Sequence, residues 1–314
     1  MLRTTLCFSI LACSSLGGLR AQPSKANFRS DAQMVLVPVT VTDHFGKTVE
    51  GLRASDFTIF DDQGKREIVS FANDDAPCSA GLVLDVSGSM KNSLHSAKEV
   101  ARAFFETANP RDEFQLLTVS TAPAAESAFT TDAAALEETI SYARADGMTA
   151  LVDTVYLGLN RMRKAQHPRR ALLILSDGMD NNSRYSQSEL LQMALEADVQ
   201  VYAVILDGIS GGGPSGGAPY RPTMALKPID QARLNQPSNL LEELANKTGG
   251  LYFHAHDEAQ AKEAMAKAGR ALRSEYLIGY QAPASGAPEK WHRVRVKTSV
   301  PKVVIHARSG YYAP

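Results

Sequence analysis

The sequence predicts an α/β domain with a doubly wound, mostly parallel sheet, inserted in a small β-sandwich formed by the N- and C-terminal strands. Three observations predict it. From residue 80 onward, short apolar runs such as 81–84 and 171–175 alternate with segments of helical spacing, the pattern of strands buried on both faces between helices. Before residue 79 and after residue 272 the chain reads as strand and turn only. The length, 314 residues with 44% hydrophobic and 21% charged, suits one large globular domain plus a smaller one.

Residues 1–21 read as a secretory signal peptide: Arg3 supplies a positive start, residues 6–16 an apolar run too short to span a bilayer, and Ala21 a small-residue cleavage point. A second export reading takes Ile10-Leu11-Ala12-Cys13 as a lipobox, with a lipid anchor at Cys13. No later stretch has the length of a transmembrane span, which places the protein in the periplasm or outside the cell, in one version associated with the outer membrane. Cleavage after Ala21 leaves Cys78 alone, so no internal disulfide forms, and its place before an apolar strand marks it as a small buried hydrophobe.

Residues 22–32 are polar. The N-terminal β segment, 22–78, then holds strands at 34–42, 52–60 and 66–71, with turns at 43–47 and 61–64. It is too small to bury a core alone. In the α/β domain, 79–272, the helix at 93–108 puts Leu94, Ala97, Val100, Ala101 and Phe104 on one face. A strand at 114–119, helices at 133–143 and 150–163, a strand at 171–175, a helix at 186–197 and a strand at 199–206 follow. The Gly-rich stretch 208–219 cannot pack as an element and reads as a long surface loop. A helix at 240–247, a strand at 251–253 and a helix at 258–272 close the domain. The C-terminal β segment, 273–314, offers strands at 276–280, 292–297 and 303–307, and pairing with the N-terminal segment is its economical arrangement.

Net charge is −1, and the basic cluster Arg161, Arg163, Lys164, Arg169 and Arg170 lacks interleaved aromatics, so it reads as a solvated face and not as a nucleic-acid surface. The chemistry gathers elsewhere. Asp85-Val86-Ser87-Gly88-Ser89 follows a buried strand directly, at the carboxyl end where open α/β sheets bind ligands. Thr149 precedes the helix from Ala150, and Asp177 follows the strand 171–175. Two carboxylates and three hydroxyls from three loops form a hard oxygen set suited to Mg²⁺, with Mn²⁺ or Ca²⁺ as alternatives. Each loop has a plainer explanation: Ser87, Ser89 and Thr149 are all residues that cap helices. Met148 and Met179 either rim the site or pack. Asp180-Asn181-Asn182 reads as an exposed polar loop, and His254 and His256 form a pair without a third zinc ligand. No Gly-x-Ser-x-Gly, phosphate loop or dinucleotide fingerprint is in place, which argues against an enzyme, a metal-assisted hydrolase included.

The pattern Asp85-x-Ser87-x-Ser89, then Thr149, then Asp177 in a Leu-Ser-Asp-Gly setting, resembles the metal-ion-dependent adhesion site of the von Willebrand factor type A family. Residues 39–57 and the ending from Arg308 to Pro314 resemble bacterial von Willebrand factor A-related proteins of the acidobacterial type. The resemblance implies a metal-dependent binding or adhesion module in which a partner protein's Asp or Glu completes the ion's shell. The rival readings are a structural or assembly component of a cell-envelope complex, with a metal that only stabilises, and a metal-assisted hydrolase.

Overall fold

A computed structural model describes residues 34–73, 75–206, 237–282 and 290–312. The export segment 1–21 with Cys13, the polar stretch 22–32 and the Gly-rich loop 208–219 lie outside the described residues.

The chain opens with strands β1 (Met34–Asp43), β2 (Phe57–Asp61), β3 (Gly64–Arg66) and β4 (Ile68–Ala72). Valine at alternate positions of β1 explains its inward face, since Val35, Val37, Val39 and Val41 are all buried. The expected strand at 52–60 is shorter: a 3-10 turn at Ala54–Asp56 precedes β2, and Asp56 turns its carboxylate back to accept from the Arg53 N–H at 2.8 Å. The expected strand at 66–71 is two strands in two sheets. β3 pairs with β2, and β4 pairs with a late strand, β11 (Tyr276–Gln281), so the chain changes sheets at Glu67.

The α/β part runs β5 (Cys78–Asp85), α1 (Leu94–Phe105), β6 (Glu113–Val119), β7 (Ala124–Ala125), α2 (Ala133–Tyr142), α3 (Leu151–Arg161), β8 (Arg169–Ser176), α4 (Gln187–Ala197), β9 (Gln200–Leu206), α5 (Pro237–Thr248), β10 (Tyr252–Ala255) and α6 (Glu258–Arg273). The six-stranded sheet has the order β10-β9-β8-β5-β6-β7, parallel except for the short edge strand β7, which has no apolar run to announce it. Every residue of β5 is buried because helices cover both faces. Ala80, Leu82 and Leu84 join one core with α1 and α6, and Val83 joins the other with α3 and α4. Gly81 is needed where it stands, since a Cβ there would lie 2.7 Å from Leu172 Cδ1. After β6 and β7 the chain crosses back to lay β8 on the other side of β5, so the strand order reverses between β5 and β8.

The chain then adds β11 (Tyr276–Gln281), β12 (Trp291–Thr298), β13 (Val303–Ala307) and β14 (Gly310–Tyr312). β1 lies between β11 and β13, and β12 between β14 and β2, giving two four-stranded sheets, β13-β1-β11-β4 and β14-β12-β2-β3. Their common core includes Val37, Ile59, Ile278, Tyr276 and Tyr280. Burying each such side chain stabilises by about 1.5–3 kcal/mol before entropy is counted.

The basic cluster is not wholly a solvated face. Arg169 is buried, with Nε 3.2 Å from Glu275 Oε1, and its guanidinium donates to the carbonyls of Arg273 and Glu275. Among the described residues no helix is long and apolar enough to cross a membrane.

Candidate functional site

The strand order reverses between β5 and β8, and in open α/β sheets such a switch point is where ligands bind, at the strands' carboxyl ends. Asp85 is the last residue of β5 and fully buried. Its Oδ1 accepts from the Ser87 N–H at 2.9 Å, an Asx-type turn that bends the chain out of the strand. Its Oδ2 accepts from Ser176 Oγ at 2.5 Å, a bond between residues 91 apart in sequence. Burial pushes the Asp85 carboxyl above its ordinary range; the hydrogen bonds from Ser176 and Ser87 pull it down, and the nearby Asp177 pushes it up.

Ser87 is buried and Ser89 exposed, and their hydroxyls lie 3.0 Å apart. Gly88 N–H donates to Gly147 O at 2.9 Å, joining this loop to the one that carries Thr149. Gly147 has φ +81°, and a Cβ on it would meet Thr121 Oγ1 at 2.4 Å, so the join requires glycine on both counts. Ser87 makes no side-chain cap; the helix α1 starts later, at Leu94.

Thr149 is buried, and it does not cap α3 either. That helix is capped from outside: Asp180 Oδ1 accepts from Leu151 N–H at 3.0 Å, and Ser183 Oγ from Asp153 N–H at 3.1 Å. Asn181 Oδ1 accepts from Thr149 N–H at 2.9 Å, while Thr149 O accepts from the N–H groups of Asn181 and Asn182. The loop expected to be merely polar and exposed therefore holds Thr149 in place. Asp177 is half-buried just beyond β8, with Oδ1 accepting from Met179 N–H at 3.0 Å. The switch point thus has a β5 loop with Asp85, Ser87 and Ser89, a β8 loop with Asp177, and a third loop with Thr149 hydrogen-bonded to both. Sequence reasoning missed Ser176, Asp180, Asn181 and Ser183. The only signal was the density of Ser, Asp and Asn after a buried strand.

A second group of polar side chains sits inside the sandwich. His292 Nδ1 is 3.2 Å from both Asp61 Oδ1 and Asp62 Oδ2. Asp61 Oδ2 also accepts from the hydroxyls of Tyr280, at 3.1 Å, and Tyr311, at 2.9 Å. Three protein donors thus satisfy the buried Asp61 carboxyl, which anchors the C-terminal strand β14 to the core. Among the described residues this is the one set of three or more metal-ligating acidic, His or Cys groups that lie together. The His254 and His256 rings meet edge to face with centroids 4.7 Å apart, without a third ligand in that sense. Cys78 is buried, and burial pushes its thiol far up, as for an inert core residue.

Residues 81–179 match the family model of the von Willebrand factor type A domain. The matched region contains most of β5, all of β6 and β8, and Asp85, Ser87, Ser89, Thr149 and Asp177. No curated protein matches the sequence. Similar solved structures include a von Willebrand factor type A protein from Catenulispora acidiphila, 13% identical, covering 91% of this chain and 75% of that one at TM-score 0.49. An aerotolerance-related membrane protein from Bacteroides fragilis is 17% identical, covering 62% of this chain and 98% of that one at TM-score 0.44. The PilB minor pilin from Streptococcus sanguinis is 13% identical, covering 63% and 61% at TM-score 0.43.

Proposed function

We propose that this protein, whose central region carries a von Willebrand factor type A domain, is an exported, non-enzymatic binding module whose grip on a partner protein depends on a divalent ion. Domains of this kind are commonly protein-interaction modules. The observation that supports the reading is the hydrogen-bonded meeting, at the β5–β8 reversal, of the three loops that carry Asp85, Ser87, Ser89, Thr149 and Asp177.

The donor set fits a hard cation, because it consists of carboxylate and hydroxyl oxygens without a sulfur or imidazole. Asp85, Ser87, Ser89, Thr149 and Asp177 would hold Mg²⁺, with Mn²⁺ or Ca²⁺ as alternatives. The ion would supply an open electrophilic position for an Asp or Glu of the partner. The chain's own groups prepare that position. Ser176 keeps one Asp85 oxygen turned inward, the Ser87 N–H holds the other, and Asn181 fixes the Thr149 backbone. Two acidic groups balance the ion's charge.

Titration calorimetry of the protein with Mg²⁺ and Mn²⁺, beside a folded Asp85→Ala/Thr149→Ala double variant, tests the reading. Saturable uptake that the double variant lacks supports it. A folded wild type that takes up neither ion refutes it and moves the envelope-component reading ahead, with the partner surface elsewhere on the fold.

A further inference from the structure

We propose that the outward face of the sheet β14-β12-β2-β3 docks on the surface of a lipid bilayer rich in anionic phospholipid. The proposal goes beyond the metal-dependent reading and uses none of the residues at the β5–β8 reversal.

Strand alternation fixes which side chains share that face. Val294 and Val296 of β12 and Phe57 and Ile59 of β2 join the sandwich core, so the alternate residues Arg293, Arg295 and Lys297, with Thr58 and Phe60, point outward. Arg295 lies opposite Phe60, and Phe60 opposite Lys65 of β3. Arg295 and Lys297 both sit over the Phe60 ring, 5.3 and 5.5 Å from its centroid. The three cations of β12 stand in single file about 6.7 Å apart. Together with Lys65 they are exposed, and none of the four has an ion pair among the described residues.

The charge surplus survives a full count. No outward position of these four strands carries a carboxylate. The stretches 53–67 and 290–302 hold eight cations against four carboxylates. Of those four, Asp61 is buried, Asp62 is turned onto His292 Nδ1 and the Arg293 N–H, and Asp56 accepts from the Arg53 N–H, which leaves Glu67. At the β14 edge Asp198 is paired with Arg308.

The chemistry of the face selects the partner. Lys and Arg side chains offer donors and no acceptor, and the phosphate oxygens of lipid headgroups are acceptors. The Phe60 ring is covered by two cations, so it is no platform for stacking a nucleic-acid base. Trp291 and Tyr312 meet edge to face at the β14 side of the same face, with ring centroids 5.0 Å apart and Tyr312 37% exposed. Trp and Tyr settle at the headgroup level of a bilayer, while cations beside them are drawn to its anionic surface.

The test is co-sedimentation of the chain from Gln22 on, which keeps every described residue, with vesicles of phosphatidylcholine alone or of an equal mixture with phosphatidylglycerol. EDTA is present throughout, so no metal bridges protein to phosphate. The mixed vesicles are expected to bind the protein, less as salt rises, and the neutral ones to leave it in solution. Arg293→Gln/Arg295→Gln/Lys297→Gln is expected to bind about 100-fold more weakly, about fivefold for each cation lost, with unchanged circular dichroism. Lys65→Gln, on the edge strand β3, gives a single step of about fivefold. Arg293→Lys/Arg295→Lys/Lys297→Arg keeps the charges and binds as the parent does. Equal binding to both vesicle types, a Gln variant as tight as the parent, or a charge-keeping variant as weak as the triple Gln variant overturns the proposal. Capture of single-stranded DNA or heparin without capture by the anionic vesicles overturns it as well. Each of these failures leaves the metal-dependent reading standing, since no ion takes part.

Discussion

Replacing Glu275 by Gln, and separately Arg169 by Met, tests what joins the parallel sheet to the flanking strands. The Glu275 side chain is 1% exposed and Arg169 3%, with Arg169 Nε 3.2 Å from Glu275 Oε1. The other carboxyl oxygen, Oε2, is buried without a hydrogen-bond partner. Burial raises the Glu275 carboxyl, the Arg169 guanidinium opposes that rise, and Asp198 adds to it; the balance leaves it at about 8. At neutral pH the group is mostly the neutral acid, and Gln is its near isostere. The sign follows from proton counting. Between 4.5, the ordinary value, and about 8 the folded state holds a proton that the unfolded chain has lost. Stability therefore falls as pH rises through that window, with a slope approaching about 1.4 kcal/mol per pH unit. Glu275→Gln removes the slope: it matches the parent at low pH and exceeds it at high pH. Arg169→Met acts differently, because the carbonyls of Ala76, Arg273 and Glu275 lose their donor. Its cost is about 1–3 kcal/mol for each buried carbonyl left without a donor. Urea unfolding of all three proteins at about pH 5, 7 and 9, with equal m-values, reads both effects. A Gln variant that loses several kcal/mol at neutral pH would mean that Glu275 is ionised there, and the reasoning would fail.

Further outcomes follow from other contacts. Ser176→Ala removes the 2.5 Å donor to Asp85 and should weaken Mg²⁺ or Mn²⁺ binding about 10- to 100-fold by calorimetry, while circular dichroism stays unchanged. Tyr311→Phe takes one of three donors from the buried Asp61 carboxyl and should cost about 1–3 kcal/mol in denaturant unfolding. His306, whose Nε2 lies 3.0 Å from Thr42 Oγ1, is held down to about 4 by burial. Its folded value lies below its ordinary 6.5, so it contributes stability that is lost as pH falls from about 6.5 through 4. His306→Gln should flatten that part of the acid limb in a stability-against-pH profile.

Much of the fold was legible because its signals are local. The runs 81–84 and 171–175 are apolar on consecutive residues, as strands covered on both faces must be, and α1 shows its inward stripe in Leu94, Ala97, Val100, Ala101 and Phe104. Asp85, Ser87, Ser89 and Asp177 stand out in the sequence for a similar reason, since a short polar turn directly after an apolar strand marks a sheet's carboxyl edge, whereas Thr149 stands out only by its place in the family's motif order. The tertiary structure decided what depends on neighbours distant in sequence. Glu67 lies where the chain changes sheets, inside the stretch 66–71 that reads as one strand, because strand character says nothing about which partner a strand takes. Asp180 and Ser183 cap a helix that begins about 30 residues earlier. Ser176 reaches Asp85 only because the strand order reverses between β5 and β8. Arg169, one of five basic residues that look alike in sequence, is buried against Glu275, which lies between α6 and β11. Burial of a charge is a property of what covers it, and in this chain the cover comes from a residue 106 positions away.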